Sequence, residues 1–311
     1  MGAYTTRRLL QLLPTILLVT VAIFLMLRLI PGDPALVMLG PNATPERVAE
    51  LHRVLGLDRP LWEQYLVFLR NLVRGGVGTS LFYRRAVSQV VLERFPATLF
   101  LVLYGGVLMA VGGVPLGIVA ALRKDRISDH FIRVAMTVPL VMPVFWSGLL
   151  LMLLFGVRLR LLPVSGYGDT FLEHLRHLFL PALAMALSSA SLLVRNLRSS
   201  LLETMQADYV RTARSKGLPK RLVFGRHILR NSLISTASLM GVILGYSIGN
   251  TVVIETVFNV PGIGSLLITA IGSRDYPVVQ FLTVIFALFV IAVNLLTDLV
   301  YPLLDPRVRY Q

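Results

Sequence analysis

ETMQADYVRTARSKGLPKRLVFGRHILRN, residues 203–231, is a basic insert with helical patterning, set between two long apolar segments. Leu202, Met205, Tyr209 and Ala213 recur at spacings of three and four and make one apolar stripe, while Asp208, Arg211, Arg214 and Ser215 gather on the opposite side. The spacing predicts an amphipathic helix over 203–217. Gly217 suits the left-handed conformation that ends a helix, and Pro219 cannot continue one, so the chain is expected to turn and restart near Lys220. A short helix, a turn and a second helix beside a membrane make a docking surface.

The flanking sequence supplies the membrane. A hydrophobic share of 55% and a mean hydropathy of +0.74 over 311 residues lie outside the range of soluble domains. Six stretches are nearly free of charge: Leu9 to Ile30 (apart from Arg28), Pro96 to Leu122, Val134 to Val157, Leu178 to Val194, Ser232 to Ile254 and Pro277 to Thr297. Each matches the roughly 20 residues that a helix needs to cross a hydrocarbon core. The fold class expected is an all-α integral membrane protein with six transmembrane helices. Residues 1–30 form the N-terminus and first span, 31–95 a helical extracytoplasmic segment, and 96–311 a transmembrane core.

Six spans place both termini on one side, and the distribution of Lys and Arg chooses which. The side holding the N-terminus, 123–133, 195–230 and the tail carries 17 basic against 5 acidic residues, net +12; the other carries 12 against 10, net +2. The first is assigned to the cytoplasm. The formal charge of +14 is then a topology signal and not a nucleic-acid footprint, which would cluster on a folded soluble face. Arg7-Arg8 superficially suggests a twin-arginine export signal, but the apolar run after it is long and lacks a small-residue cleavage site, so the first span is expected to be retained. Arg28, near the outer end of that span, reaches the headgroups by snorkelling.

Pro31-Gly32-Asp33-Pro34-Ala35 ends the first span, and apolar residues then recur helically through Val48, Leu51, Val54 and Leu55 and through Leu61, Tyr65, Phe68, Leu69 and Leu72. Glycines stud the second span at 105, 106, 112, 113 and 117 and the fifth at 241, 245 and 249, a spacing that permits close helix approach in lipid. The fifth span is also the most polar, which nominates Tyr246, Ser247 and Asn250 as lining a pathway. Asn294 and Asp298, one turn apart in the last span, are added to that set or serve helix packing. Residues 256–277 turn at Pro261 and Gly262 and hold an apolar run too short to span, expected to be external or re-entrant.

Asp208-Tyr209-Val210-Arg211-Thr212-Ala213-Arg214-x-Lys216-Gly217 resembles the cytoplasmic signature of the permeases of ABC importers, in the variant of the dipeptide, oligopeptide and nickel branch. The general form of that signature, Glu-Ala-Ala followed by Gly after three residues, is met only by Ala213 and Gly217, a departure the branch shares. Ser235 stands where the branch usually carries Pro. Further likenesses are Pro31 to Ala35, Leu55 to Leu61, Gly78-Thr79-Ser80, Glu93 to Thr98, Glu255 to Gly264, Asp275-Tyr276-Pro277-x-x-Gln280 and the tail Asp305-Pro306-Arg307-x-Arg309-Tyr310. The resemblance implies that 203–217, between the fourth and fifth spans, is a coupling helix seated in a groove of a separate ATPase. Asp208, Tyr209, Arg211, Thr212, Ala213, Arg214, Lys216 and Gly217 carry that docking. It implies as partners a homologous second permease, two ATPases that hold ATP and Mg, and an extracytoplasmic substrate-binding protein that lands on 31–95, all within membrane lipid. The cargo it implies is a peptide, glutathione or a nickel chelate.

Catalytic alternatives fail on chemistry. A P-loop needs Lys followed by Ser or Thr, whereas the three lysines precede Asp125, Gly217 and Arg221. No cysteine is present for a thiolate metal site. His174 and His177 share a face, but Glu173 is not placed as in the zinc-binding H-E-x-x-H pattern. The chain is therefore expected to bind no cofactor or metal of its own. A transporter or channel working alone would show acidic relays or an inverted repeat, and Asp298 is the one acid within a span.

Overall fold

The computed structural model describes residues 14–26, 33–40, 43–74 and 78–304. Arg7-Arg8, Arg28, Pro31-Gly32 and the tail from Asp305 lie outside the described residues, as do the side chains of Leu51, Val54, Leu55 and Asp298. In hydrocarbon every backbone N–H and C=O must find a partner within the protein, and helices satisfy this locally. The described chain is accordingly helical, with one isolated antiparallel bridge between Thr79 and Ala86. The helices are α1 (Pro14–Met26), α2 (Pro34–Leu39), α3 (Pro45–Leu55), α4 (Leu61–Arg74), α5 (Val87–Leu122), α6 (Ile127–Val141) and α7 (Val144–Leu151, running on as a π-helical turn over Met152–Arg158). After these come α8 (Phe171–Gln206), α9 (Asp208–Ser215), α10 (Lys220–Leu222), α11 (Arg230–Val257), α12 (Ile263–Gly272) and α13 (Tyr276–Leu304). A π-helical stretch, Val223–Leu229, joins α10 to α11, so Lys220–Val257 is one continuous helix.

Two compact units divide the chain, 1–96 with 262–291 and 97–261 with 292–311. In the first, α1 rests on α4 through a hydrogen bond between Thr20 and Tyr65 (2.9 Å) and an edge-to-face contact of Phe24 with Tyr65. Asp33 caps α2 and meets His52 of α3 at 2.8 Å, and that hydrogen bond holds the Asp33 carboxyl below the usual carboxylate range. Val87, Val90 and Val91, at the start of α5, bury against Ile263 and Leu266 of α12 and Val278 and Leu282 of α13. This packing draws two further turns into α5, which begins nine residues before the expected start of its span and runs through Pro96. Buried Asp275 accepts from Ser80 Oγ and from the Phe82 N–H, so two of the motifs quoted above meet.

In the second unit α8 is the centre: 61% of its apolar window is buried, against 28% for α5 and 33% for the Lys220–Val257 helix. Thr170 and Glu173 start it with a reciprocal capping box. Glycines let α5 close on it, since a Cβ at Gly113 would stand 2.8 Å from Leu193 and one at Gly117 3.1 Å from Leu197. Thr98 of α5 donates to the buried carboxylate of Glu255 in α11 at 2.6 Å, again joining two motifs.

Among the described residues four helices are long and apolar enough to cross a membrane: α5, α8, Lys220–Val257 and α13. The stretch 134–157, expected as one span, is instead two helices, α6 and α7, bent by 107°. Met142 precedes Pro143, whose ring excludes the helical conformation from the residue before it, and Met142 is extended at ψ 137°. Hydropathy alone does not register such a break.

The glycine stripe of α11 divides by position. A Cβ at Gly241 would stand 2.1 Å from Thr297 Oγ1 of α13, one at Gly245 3.5 Å from Asn294 Oδ1, and one at Gly249 in open space. Gly241→Ala should cost about 1–3 kcal/mol of overpacking, whereas Gly249→Ala should be neutral or slightly stabilising. Denaturant unfolding of the two purified variants in one detergent compares them, and equal losses would contradict this contact.

Candidate docking surface and pathway

The helix expected over 203–217 is broken at Ala207, which is extended at φ −64°, ψ 145° and separates α8 from α9. The break resets the phase of the apolar face. Val210 and Ala213 are the buried residues of α9, and they pack with Leu197 and Leu201 of α8 and with Val223 and Ile228 of the π-helical stretch. Tyr209, expected in the stripe, is instead 47% exposed, with its hydroxyl accepting from Asn231 Nδ2 at 3.0 Å. Among the residues expected to dock, Asp208, Arg211, Thr212, Arg214, Lys216 and Gly217 are exposed. Ala213 is not available, being buried in the anchor. Arg211 and Asp208 approach to 3.7 Å on the open face. Gly217 ends the unit at φ +75°, where nothing lies near the position of a Cβ, and the Leu218 N–H returns to the Ala213 carbonyl. The second helix of the pair is the beginning of Lys220–Val257 itself. Helix α9 is therefore joined to the start of a membrane helix by a packed apolar contact.

A buried ion pair braces the same end of the unit. Asp129 of α6, fully buried, accepts Arg198 Nε at 2.8 Å and Nη2 at 2.7 Å, and also the Asp125 N–H at 3.0 Å. Arg133 stands 3.5 Å away. The bidentate geometry fixes the base of α6 against α8. Sequence alone does not single out these residues, because charges in separate basic segments look like solvated topology signals; Asp125 and Asp129 in an otherwise cationic stretch are the available clue.

The expected pathway residues separate. Tyr246 is 76% exposed, and Asn250, one turn on, is exposed beside open Gly249. Ser247 is buried and donates to the Ile243 carbonyl at 2.8 Å, so it turns inward. Asn294 is exposed next to Gly245. His174 Nδ1 lies 2.9 Å from the Tyr167 carbonyl with the two rings stacked, and His177 Nδ1 lies 2.7 Å from the Ser165 carbonyl. Both imidazoles are engaged in holding the loop that precedes α8.

Four described helices long and apolar enough to cross a membrane define a multi-pass membrane protein. Residues 113–310 match the model of the binding-protein-dependent transport system inner membrane component, and 1–102 match the model of its N-terminal part. The chain belongs to that family, whose members are the membrane permease components of ABC importers, and it is a non-catalytic subunit. It is 42% identical to the di/tripeptide transport system permease protein DppB of Pseudomonas aeruginosa (strain UCBPP-PA14), covering 100% of both chains. It is 39% identical to the glutathione transport system permease protein GsiC of Salmonella choleraesuis (strain SC-B67), covering 99% of each. Among solved structures, an amino acid ABC transporter with histidines matches with a TM-score of 0.52 at 13% identity, over 69% of this chain and 94% of that one, which supports the fold. The family works with a second permease, an ATPase and a binding protein.

Removing Arg198 takes both of its charged hydrogen bonds from the buried Asp129 carboxylate, leaving the Asp125 N–H and Arg133 at 3.5 Å. Arg198→Ala should destabilise the purified protein by about 3–5 kcal/mol, whereas Arg211→Ala, at an exposed pair, should cost less than about 1 kcal/mol. Equal unfolding midpoints for the two variants would show that the buried pair carries no special weight.

Proposed function

We propose that this chain forms half of the translocation pathway of an ATP-driven importer of dipeptides or oligopeptides. The observation that carries this reading is the joint between α9 and Lys220–Val257, a lever with its apolar side anchored and its polar side free. In this reading, of the eight residues expected to dock, Asp208, Tyr209, Arg211, Thr212 and Lys216 meet a groove on a separate ATPase, which holds ATP and Mg, while Ala213 is buried in the anchor and Arg214 stands at the cleft beside the turn. Gly217 lets the two backbones approach. Two ATPases, a homologous second permease and an extracytoplasmic binding protein complete the assembly.

Six spans follow if α1 and the bent pair α6–α7 each cross once beside the four long helices. The Asp129–Arg198 pair supports placing 123–133 and 195–230 on one face, the face that the basic residues assign to the cytoplasm with both termini. The stripe Tyr246, Gly249 and Asn250 turns away from this chain's own core, which suits a pathway shared with the second permease. Asn294, exposed beside Gly245, and Asp298, one turn on in the sequence, are added to that pathway or serve helix packing. Transport requires that ATP and the loaded binding protein each prefer one state of the pore, since a ligand without preference shifts nothing. The peptide cargo is supported by the names of the relatives; glutathione, itself a tripeptide, fits the same reading, and a nickel chelate is the remaining alternative.

Gly217→Trp places a bulky side chain at a left-handed position on the docking turn, at a backbone cost of roughly 1–2 kcal/mol. The variant should insert normally and lose ATP-dependent peptide uptake in proteoliposomes; wild-type uptake would refute the docking assignment. Asp298→Asn should leave most transport intact, and complete loss with normal folding would favour a proton relay.

A further inference from the structure

At the end of the second unit that carries α9, a cleft of about 560 Å³ opens beside the docking turn. Leu122, Met205, Leu218 and Phe224 supply apolar walls, and Arg214 and Lys220 stand at it as cations. Both cations are exposed, and neither is in an ion pair among the described residues, although Arg211 on the adjoining turn has Asp208. Leu122 is the last residue of α5 and is itself 57% exposed. Directly after it the sequence turns basic with Arg123 and Lys124, so the cleft lies level with the boundary at which an apolar span gives way to headgroups.

We propose that this cleft binds one anionic glycerophospholipid, its phosphate between Arg214 and Lys220 and an acyl chain along Leu122, Met205, Leu218 and Phe224. Charge complementarity selects the occupant. Two unpaired cations above apolar walls match a molecule that is anionic at one end and hydrocarbon at the other, and basic pockets at membrane-helix ends hold such headgroups. The surface of a soluble partner offers polar groups, which the apolar walls would strip of water without replacement. Arg214 thereby leaves the docking face to Asp208, Tyr209, Arg211, Thr212 and Lys216, and a lipid wedged beside the turn stiffens the joint between α9 and the helix that begins at Lys220. The inference does not depend on which side of the membrane is cytoplasmic, nor on the cargo.

The test uses the full chain in detergent, titrated with phosphatidylglycerol and followed by native mass spectrometry. One phosphatidylglycerol should be retained per chain. Arg214→Gln with Lys220→Gln should weaken it about 30-fold, at about one kcal/mol per cation. Arg221→Gln with Arg226→Gln, exposed cations that do not line the cleft, should leave it unchanged. Phosphatidylcholine and glycerol 3-phosphate should not be retained. Equal retention by the Arg214/Lys220 variant, equal loss in the Arg221/Arg226 control, or retention of glycerol 3-phosphate would each overturn the site. Co-purification with the ATPases, measured in parallel, separates this inference from the docking assignment. Loss of lipid with ATPases still bound supports it, whereas loss of ATPases with lipid still bound makes the cleft a protein interface and overturns it.

Discussion

The continuity of Lys220–Val257 is the constraint on which the architecture of the second unit rests. A helix hydrogen-bonded along its whole length transmits displacement with little loss, and in hydrocarbon it has no water to replace a broken backbone bond. The π-helical stretch Val223–Leu229 retains that continuity while presenting Val223 and Ile228 to α9. The short helix adds no hydrogen-bond continuity of its own, since Ala207 and Gly217 interrupt the chain on either side. Its attachment to Lys220–Val257 rests on burial of Val210 and Ala213.

Rigidity at the base of the unit has a different origin. The Asp129–Arg198 pair joins α6 to α8 with bidentate geometry, and its aspartate is fully withdrawn from solvent. Such a pair contributes geometric definition more surely than net stability, because desolvation offsets much of the Coulomb attraction. Close glycine contacts between α5 and α8 and between α11 and α13 add shape where hydrophobic driving force is absent. Around this braced centre, α11 leaves a stripe of tyrosine, glycine and asparagine exposed. A surface of that composition is poorly matched to lipid chains and suits either a polar route or a second subunit.

The motifs scattered along the chain acquire a common logic in space. Thr98 and Glu255 come from two of them, 157 residues apart, and meet in a buried hydrogen bond. Ser80 and Asp275 come from two more, separated by 195 residues. Each pair sets a short polar contact within apolar packing, where an unmatched carboxylate would be costly. The first pair ties α5 to α11, and the second ties the loop before α5 to the turn between α12 and α13.

Composition, apolar run lengths and charge asymmetry were enough to establish a helical membrane protein with a basic helical insert, because the cost of exposing charge or backbone to hydrocarbon acts on each segment separately. Gly217 and Pro219 likewise announced the turn after α9, since a left-handed residue and a missing N–H are local properties. Helix ends were less legible: α5 begins at Val87 because Val87, Val90 and Val91 find partners on α12 and α13, and 134–157 bends because Met142 must be extended before Pro143. Tertiary structure alone decided which face of α9 is buried, that Ser247 turns inward while Tyr246 and Asn250 do not, and that Asp129 belongs to Arg198. Those outcomes depend on contacts between residues far apart in the chain, and the phase of a helix cannot be carried across a break such as Ala207 by counting residues.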